Sequence, residues 1–429
     1  MRINKTKTDC CGCTACESVC PHRAIRMVPD TFGFLYPEVD DSLCVDCGLC
    51  EKVCAFHGDY DRSLNLVKPL AYAAKHKNPE EIAASQSGAA FVALSDFILS
   101  QGGVVYGAGY TGHFRVVHKK AETRAERDEF RGSKYVQSDM NTVFGQVRED
   151  LNNGLLVLFS GTPCQTAGLS SFVGKRLQDR LFLMDIVCHG VPGPFIWRDY
   201  LDYLEAKEGM RITAVNFRDK KRFGWRSHVE SFLFANTYTN TYTNTYTNTY
   251  TNTYTNTYTN TYTNTYTNTY TNTYTNTFYT HIMLRRSCGE CPYTNTHRPS
   301  DITVADFWGI ENTSAADLGA DNKGCSLILV NTDKGENWFE QVKGNMEYKA
   351  IPLEDCLQPQ LCHPSILHPE RIAFEKDYAR LGFERTLKKY GLLGWKAEVK
   401  AFRRRLVGFV LGLLSVGLKQ NVKKVIRRK

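Results

Sequence analysis

The stretch "LLVLFSGTPCQTAGL", residues 155–169, decides how this chain is read. A short apolar run suited to a buried strand ends in a tight Gly/Pro turn, and a helix-like segment follows. The arrangement repeats in "LFLMDIVCHGVPGPFIWRDYLDYLEA", residues 181–206, where Pro194 is well placed for a first helical turn. Upstream, "AYAAKH" (71–76) reads as a strand and "VVYGAGY" (104–110) as another. Between them, "SGAAFVALSDFILSQGG" (87–103) reads as a helix capped by Ser at its start and Gly at its end. Downstream, "SDITVADFWGI", "GCSLILVNT" and "DKGENWFEQVKG" read as strand, strand and helix. This order predicts an α/β body with a mixed or largely parallel sheet. In such sheets ligands sit at strand ends, where the Gly-rich turns fall.

At 429 residues the chain has room for two or three domains, and 42% hydrophobic with 23% charged residues suits a soluble globular protein. The polar N-terminus "MRINKTKTD" has no apolar core like that of a secretory signal. Sixteen cysteines are too few for a disulfide scaffold of this length, so the expected compartment is the cytoplasm, with thiols serving as metal ligands or catalytic groups. The net charge of +8 belongs to the tail: eleven Lys or Arg stand against Glu398 alone from Lys396 to Lys429. The remainder is slightly acidic, which argues against nucleic acid as a partner.

Residues 1–60 are dominated by cysteine. Cys10, Cys13, Cys16 and Cys20 have the spacing C-x2-C-x2-C-x3-C-P. Cys44, Cys47, Cys50 and Cys54 repeat it, with Ala55 in place of Pro. Three close cysteines wrap one cubane, and in two-cluster ferredoxins the fourth thiolate ligates the other cluster. The spacing therefore assigns Cys10, Cys13, Cys16 and Cys54 to one [4Fe–4S] cluster, and Cys44, Cys47, Cys50 and Cys20 to a second. Zinc knuckles explain eight thiols in this spacing poorly. Cys11 is left as a buried neighbour. The polar stretch 55–69 reads as a linker.

Residues 236–277 are ten NTYT units followed by NT. The period of four fits neither a helical stripe nor a solenoid unit. We expect a low-complexity insertion, of low order or a two-stranded excursion, without chemistry of its own.

Four further thiols lie at strand ends: Cys164 in "SGTPCQ", Cys188 in "DIVCHG", and the pair Cys288 and Cys291. They offer a set for one more cluster. Two other readings stand beside it: Cys188 as a small core residue, and the distant pair as half of a zinc clip completed by His281 and His297. Cys325, Cys356 and Cys362 lack ligand-like spacing and read as structural. His189 is a candidate proton donor to a reduced substrate or a structural histidine. Asp301 and Asp306 alternate on a strand, with Asp306 the one able to face a site.

The stretches "SQSGAAFVAL" (85–94), "GGVVYGAGY" (102–110), "RGSKYVQSD" (131–139), "FSGTPCQTAGL" (159–169), "DIVCHGVPGP" (185–194) and "CGECPYTNTHRPSDITVADFWG" (288–309) occur in family order. Over about residues 71–235 and 278–345 the chain resembles the β-subunit family of coenzyme F420 hydrogenase and dehydrogenase, here with a dicluster ferredoxin module in front. The family includes F420-reducing subunits, formate dehydrogenase β-subunits and reductases acting on chlorophyll precursors. The resemblance implies FAD and an iron–sulfur cluster in the α/β body, the latter on Cys164, Cys188, Cys288 and Cys291. By motif it places Ser85, Gln86, Ser87 and Gly88 at a helix opening that approaches the FAD phosphates. Arg131, Ser133, Lys134 and Tyr135 would contact the cofactor. Gly161, Thr162 and Pro163 would shape the turn beside the flavin ring. A flavin suits a chain of one-electron clusters, because it converts single electrons into a hydride.

The tail "FRRRLVGFVLGLLSVGLKQNVKKVIRRK" has an uncharged run, Leu406 to Leu418, too short to span a bilayer. It reads as a basic amphipathic helix. That helix would rest on the inner face of the membrane against anionic lipid, or pack on the body or a partner subunit.

The fold expected is an α+β ferredoxin-like dicluster module (1–60), then an α/β mixed-sheet flavin domain in two parts (71–235 and 278–395). The repeat (236–277) is inserted between the parts, and the tail (396–429) follows. The function expected is an iron–sulfur flavoprotein oxidoreductase. A redox partner protein or small electron carrier exchanges electrons with the clusters, and an organic acceptor or donor, F420 or another, exchanges a hydride at the flavin. The alternative is an electron-transfer subunit of a larger complex with no substrate of its own.

Overall fold

The computed structural model describes residues 2–57, 59–247, 253–271, 273–395, 397 and 399, with backbone alone between 236 and 271. The chain divides into two compact units, Met1–Pro369 and Glu370–Lys429.

In the N-terminal module, β1 (Ile25–Pro29) and β2 (Leu35–Val39) form an antiparallel ribbon. The short helices Ala15–Val19 and Leu49–Lys52 carry Cys16 and Cys50. The two cysteine loops share one backbone course. Gly12 (φ 70°) and Thr14 (φ 69°) in the first correspond, position for position, to Asp46 (φ 51°) and Gly48 (φ 73°) in the second. Left-handed residues at this interval curl the chain so that its amides point inward, which suits an anionic centre.

The ribbon is docked onto the body: Phe195 donates its amide to Phe32 O at 3.0 Å, at the start of the helix Pro194–Glu208. The stretch expected to be a bare linker is only partly one. Phe56 and Tyr60 are buried, with ring centroids 5.9 and 4.8 Å from that of Tyr293, and the first body strand already begins at Asn65.

The body strands are β3 (Asn65–His76), β4 (Val104–Thr111), β5 (Arg115–Ala121), β6 (Val157–Gly161) and β7 (Leu181–Ile186). After β8 (Arg211–Asn216), β9 (Glu230–Thr247) and β10 (Thr253–Thr271) come β11 (Ile302–Asp306), β12 (Ser326–Thr332) and β13 (Met346–Ile351). Eight of them form one sheet in the order β13-β3-β12-β11-β7-β6-β4-β5. Its centre, β11-β7-β6-β4, is parallel, and both flanks are antiparallel.

Alternate residues of β6 separate two cores. Leu158 joins the core built with Leu94, Ile98, Trp338 and Phe339. Val157 and Phe159 join the one built with Phe144, Val147 and Leu169. Helices therefore cover both faces, as a strand apolar throughout requires. The opening stretch folds as read: β6 ends at Gly161, and the helix Pro163–Val173 starts at once.

A second sheet, β10-β9-β8, contains the repeat. The excursion is two-stranded, with Thr239 opposite Thr261 and, past a register shift, Thr271 opposite Glu230. The expectation of an inert insertion fails at its end. The last units form the short helix Thr273–Phe278, in which Tyr274, only 2% exposed, fits among Trp197, Tyr200 and Phe217. Tyr274 Oη donates to Tyr135 O at 2.9 Å, so repeat residues support the wall of the large cavity described below.

The second unit contains the helices Arg371–Leu381 and Phe383–Lys389. An Arg371–Glu375 pair at 2.8 Å and the Asp377 carboxylate, which accepts from Arg380 and Lys389, tie it together. The basic tail read as an amphipathic helix lies, except for Ala397 and Val399, outside the described residues. Among the described residues no helix is long and apolar enough to cross a membrane.

Candidate redox centre

Three sets of four thiols are drawn together. Cys10, Cys13, Cys16 and Cys54 lie within each other's electrostatic reach. Burial, then charge on Cys13, Cys10 and Cys54, pushes the Cys16 thiol far up. Cys20, though part of the first motif, lines a cavity with Cys44, Cys47 and Cys50. Backbone amides face the sulfurs: Ile3 N lies 3.3 Å from Cys50 Sγ, and Ala24 N lies 3.4 Å from Cys20 Sγ. Cys47 is exposed, as are Leu43, Val45 and Leu49 around it, which puts this second set at the surface.

The third set comes from three separate segments. Cys164 lies in the first turn of the helix after β6, Cys188 follows β7, Cys288 lies within the turn Arg286–Glu290, and Cys291 follows that turn directly. All four line one enclosed cavity, together with Cys11, Tyr293, Arg285 and Arg298. Arg298 holds the distant pair's loop to the sheet, donating to Tyr293 O (2.5 Å), Ile186 O (3.0 Å) and Asp185 Oδ1 (3.1 Å).

Cys11 lies between the first and third sets, hydrogen-bonded to Cys13 and Cys164. Those bonds hold its own thiol well above the usual range and lower its two partners, Cys164 to about 7. Among the described residues no three His, Cys, Asp or Glu side chains converge closely enough to hold a single metal ion. His281 and His297, the histidines of the zinc-clip reading, are not among the residues that line the thiol cavity.

A second, larger cavity of about 600 Å³ lies at the carboxyl ends of the parallel strands. It adjoins the thiol cavity, and Cys164, Cys188, His189, Gly190 and Val191 line both. Ser85, Gln86, Ser87, Arg131, Ser133, Lys134, Tyr135, Gly161 and Thr162 all line it. Gly88 and Pro163 do not. Gly88 packs behind the wall, donating its amide to Ser326 Oγ at 3.0 Å, and Pro163 faces the thiol cavity.

The helix reading at this wall also changes. The helix spans Ala90–Ser100, with left-handed Ala89 (φ 64°) at its start and no side-chain cap. Ser87 cannot cap it because its hydroxyl donates to Cys325 O at 2.7 Å. The residues 85–88 thus form a loop in front of the helix.

The donors of this wall suit the phosphates and polar edges of a dinucleotide. Ser85 Oγ, Gln86 Nε2 and Arg131 Nε are buried without a hydrogen-bond partner, and Ala90 and Phe91 line the cavity at the helix start. A helix start with open amides attracts anions. Lys134 contributes less freely than the motif suggested. Its Nζ donates to Glu129 O (2.6 Å) and Arg131 O (3.1 Å), and burial lowers its pKa to about 7.

His189 stands between the cavities with its Nε2 2.6 Å from His281 Nε2. His281 Nδ1 faces Ile366 O at 2.7 Å and therefore carries the proton there. His281 Nε2 is then the acceptor, and His189 is the donor. Burial and the His281 neighbour lower His189 to about 4, so it is neutral, with its N–H committed to His281 rather than aimed into the cavity.

Sequence reasoning missed a network on the same wall. Thr162 N donates to Gln165 Oε1 (2.9 Å), and Gln165 Nε2 donates to Ser138 Oγ (2.9 Å). Ser138 Oγ lies 2.7 Å from His118 Nδ1, and His118 Nε2 lies 3.0 Å from Ser160 O. The carbonyl takes the Nε2 proton, so Ser138 donates to Nδ1. Burial lowers His118 to about 4, which keeps this tautomer neutral. The network fixes the Gly161–Thr162 turn. Its members come from β5, a loop and a helix, and a lone His in a strand pattern gave no signal. Asp306 does face the cavity, whereas the Asp301 carboxylate serves the sheet, accepting from the Leu183 amide (2.9 Å) and the Thr332 hydroxyl (2.8 Å).

Two family models match segments of the chain. Residues 9–57 match the 4Fe-4S dicluster domain. Residues 155–355 match the family described as the C terminus of the coenzyme F420 hydrogenase/dehydrogenase beta subunit. No curated protein matches the chain. Among solved structures, a chain of the xenon-derivatised F420-reducing [NiFe] hydrogenase complex from Methanosarcina barkeri aligns at 15% identity and a TM-score of 0.41, over 77% of this chain and 93% of that one. The chain is thus similar, over residues 155–355, to the C terminus of the coenzyme F420 hydrogenase/dehydrogenase beta subunits, and over residues 9–57 to the 4Fe-4S dicluster domain.

Proposed function

We propose that this protein is an iron–sulfur flavoprotein oxidoreductase. Electrons pass between two [4Fe–4S] clusters in the module, a third on Cys164, Cys188, Cys288 and Cys291, and FAD in the larger cavity. Bound there, FAD would exchange single electrons with the cluster side and a hydride with F420 or another organic acceptor.

The observation that carries this reading is the shared wall. Cys164, Cys188 and His189 border both the thiol cavity and a cavity large enough for a cofactor. The chain's own residues divide the work. Ser85 Oγ, Gln86 Nε2 and Arg131 Nε offer unpaired donors to the phosphate end, with Arg131 Nη2 held by Glu81 and Asp128, and the Thr162–Gln165–Ser138–His118 network keeps the ring-side turn rigid. Trp308 and Tyr279, which also line the cavity, form a partly exposed aromatic rim where an organic acceptor can stack. The exposed Leu43, Val45 and Leu49 beside Cys47 favour a protein as the electron-exchange partner at the second set.

The test is iron, acid-labile sulfide and flavin per chain after anaerobic purification, alongside Cys288→Ser/Cys291→Ser. Three cubanes predict about twelve irons, falling to about eight in the variant, with FAD present in the parent. About eight irons and no flavin in both proteins would sink the reading.

A further inference from the structure

Arg285 is 1% exposed and lies where the dicluster module meets the thiol cavity. Its Nε donates to Cys10 O (2.8 Å), Nη2 to Leu35 O (2.8 Å) and Nη1 to Gln137 Oε1 (2.9 Å). Nη2 also faces Cys10 Sγ at 3.7 Å. The guanidinium is sandwiched against Tyr36, 4.2 Å from the ring centroid. It lies so close under the first cysteine loop that a Cβ at Gly12 would fall 2.8 Å from Nη1.

None of these partners is a carboxylate. The other four buried arginines among the described residues each have one: Arg127 with Asp96, Arg218 with Asp306, Arg298 with Asp185 and Arg371 with Glu375. A buried cation without counter-charge is strongly disfavoured. The charges that act on Arg285 come instead from Tyr36, Cys10, Cys11 and Cys288. In return its own charge reaches Cys10 and Cys13 of the first set and Cys164 of the third. Clusters ligated by four thiolates are net anionic, and they supply what the site lacks.

We propose that Arg285 is the shared counter-ion of the first module cluster and the body cluster, and so the positioning residue for electron passage between them. In that passage one cluster loses an electron and the other gains it. The first cluster exchanges that electron in turn with the second module cluster. No proton moves, because a guanidinium keeps its charge. The summed charge facing Arg285 is the same before and after, so a cation held between the two stabilises both the starting and the final state. A cation this close also favours the reduced form of each cluster, raising both potentials.

The inference rests on the third-cluster reading, and the experiment separates the two. Wild type, Arg285→Met, Arg285→Gln and Arg285→Lys are compared as full chains, with iron content and potentiometric EPR titration as readouts. Both neutral variants are expected to shift the first and body clusters to lower potential by tenfold or more in the reduction equilibrium, about 59 mV for a one-electron couple. The surface cluster on Cys20, Cys44, Cys47 and Cys50 should not move. Arg285→Lys should restore most of the shift. Loss of iron from both neutral variants beside a fully loaded Arg285→Lys also supports the assignment. A fully loaded neutral variant that titrates like wild type, or a shift confined to one cluster, overturns it. Wild type with iron for only two cubanes fails the third-cluster reading instead.

Discussion

Arg218 Nη1 donates to Asp306 Oδ2 at 2.5 Å, an ion pair that ties the segment after β8 to the carboxyl end of β11 in the wall of the large cavity. Trp225 Nε1 occupies the other carboxylate oxygen at 2.6 Å, and its ring stacks on Trp308 with centroids 5.2 Å apart and planes at 8°. The pair therefore positions the aromatic rim. Asp306→Asn leaves the guanidinium buried without counter-charge and is expected to cost about 3 kcal/mol, read as a lower thermal midpoint of the loaded chain. Arg218→Met/Asp306→Leu should recover most of that loss, because an apolar pair needs no counter-charge. A double variant as unstable as Asp306→Asn would refute the account.

What the sequence disclosed and what it hid follow from distance along the chain. The cysteine spacing, the strand ending at Gly161 and the helix opening at Pro163 are local, and each could be read from a dozen residues. Gln165, Ser138 and His118 meet only because a helix, a loop and β5 converge, so no motif announces them. Arg285 reads as an ordinary surface cation until the module folds against it. The expected Ser cap failed for a competing tertiary reason: the Ser87 hydroxyl had a better partner in Cys325 O. Tyr274 was discounted because its sequence is low in complexity, although a tyrosine at the end of a repeat packs as well as any other.

The crossing of Cys20 and Cys54 gives a prediction that a simple motif count would miss. Cys20 belongs to the first motif by sequence but lines the cavity of Cys44, Cys47 and Cys50. Cys20→Ser should therefore perturb the same EPR signal as Cys44→Ser, while Cys54→Ser should perturb the one shared with Cys10→Ser. Signals that group by motif instead would overturn the assignment.

Glu230 supplies a pH dependence. Burial pushes its carboxyl up to about 7, against hydrogen bonds from Thr275 and Tyr200 that pull it down. Between the ordinary carboxylate value and about 7 the folded chain holds a proton that the unfolded chain has released. This group therefore makes stability fall as pH rises through that window, and the cost is complete above it. Glu230→Gln removes the dependence. Its stability relative to wild type should rise by roughly 2 kcal/mol from about pH 5 to about pH 8. A difference in thermal midpoint that stays constant across that range would refute the buried-acid reading.

The repeat offers a contrast between length and end. Because its units are identical, removing four of them yields one sequence wherever the cut is made. Each unit is an even number of residues, so the side chains that remain keep their faces of the ribbon. Residues 266–271 pair with residues 230–235 of β9, and Tyr274, Thr275 and Thr277 at the end of the repeat are buried in the body. Shortening by four units should leave iron content, flavin content and thermal midpoint unchanged. Tyr274→Ala should cost about 3 kcal/mol, since it empties a site among Trp197, Tyr200 and Phe217 and frees the Tyr135 carbonyl. Tyr135 lines the large cavity, so that variant should also release flavin faster than wild type. If the shortened chain lost flavin while Tyr274→Ala retained it, the repeat's length rather than its end would be what supports the site.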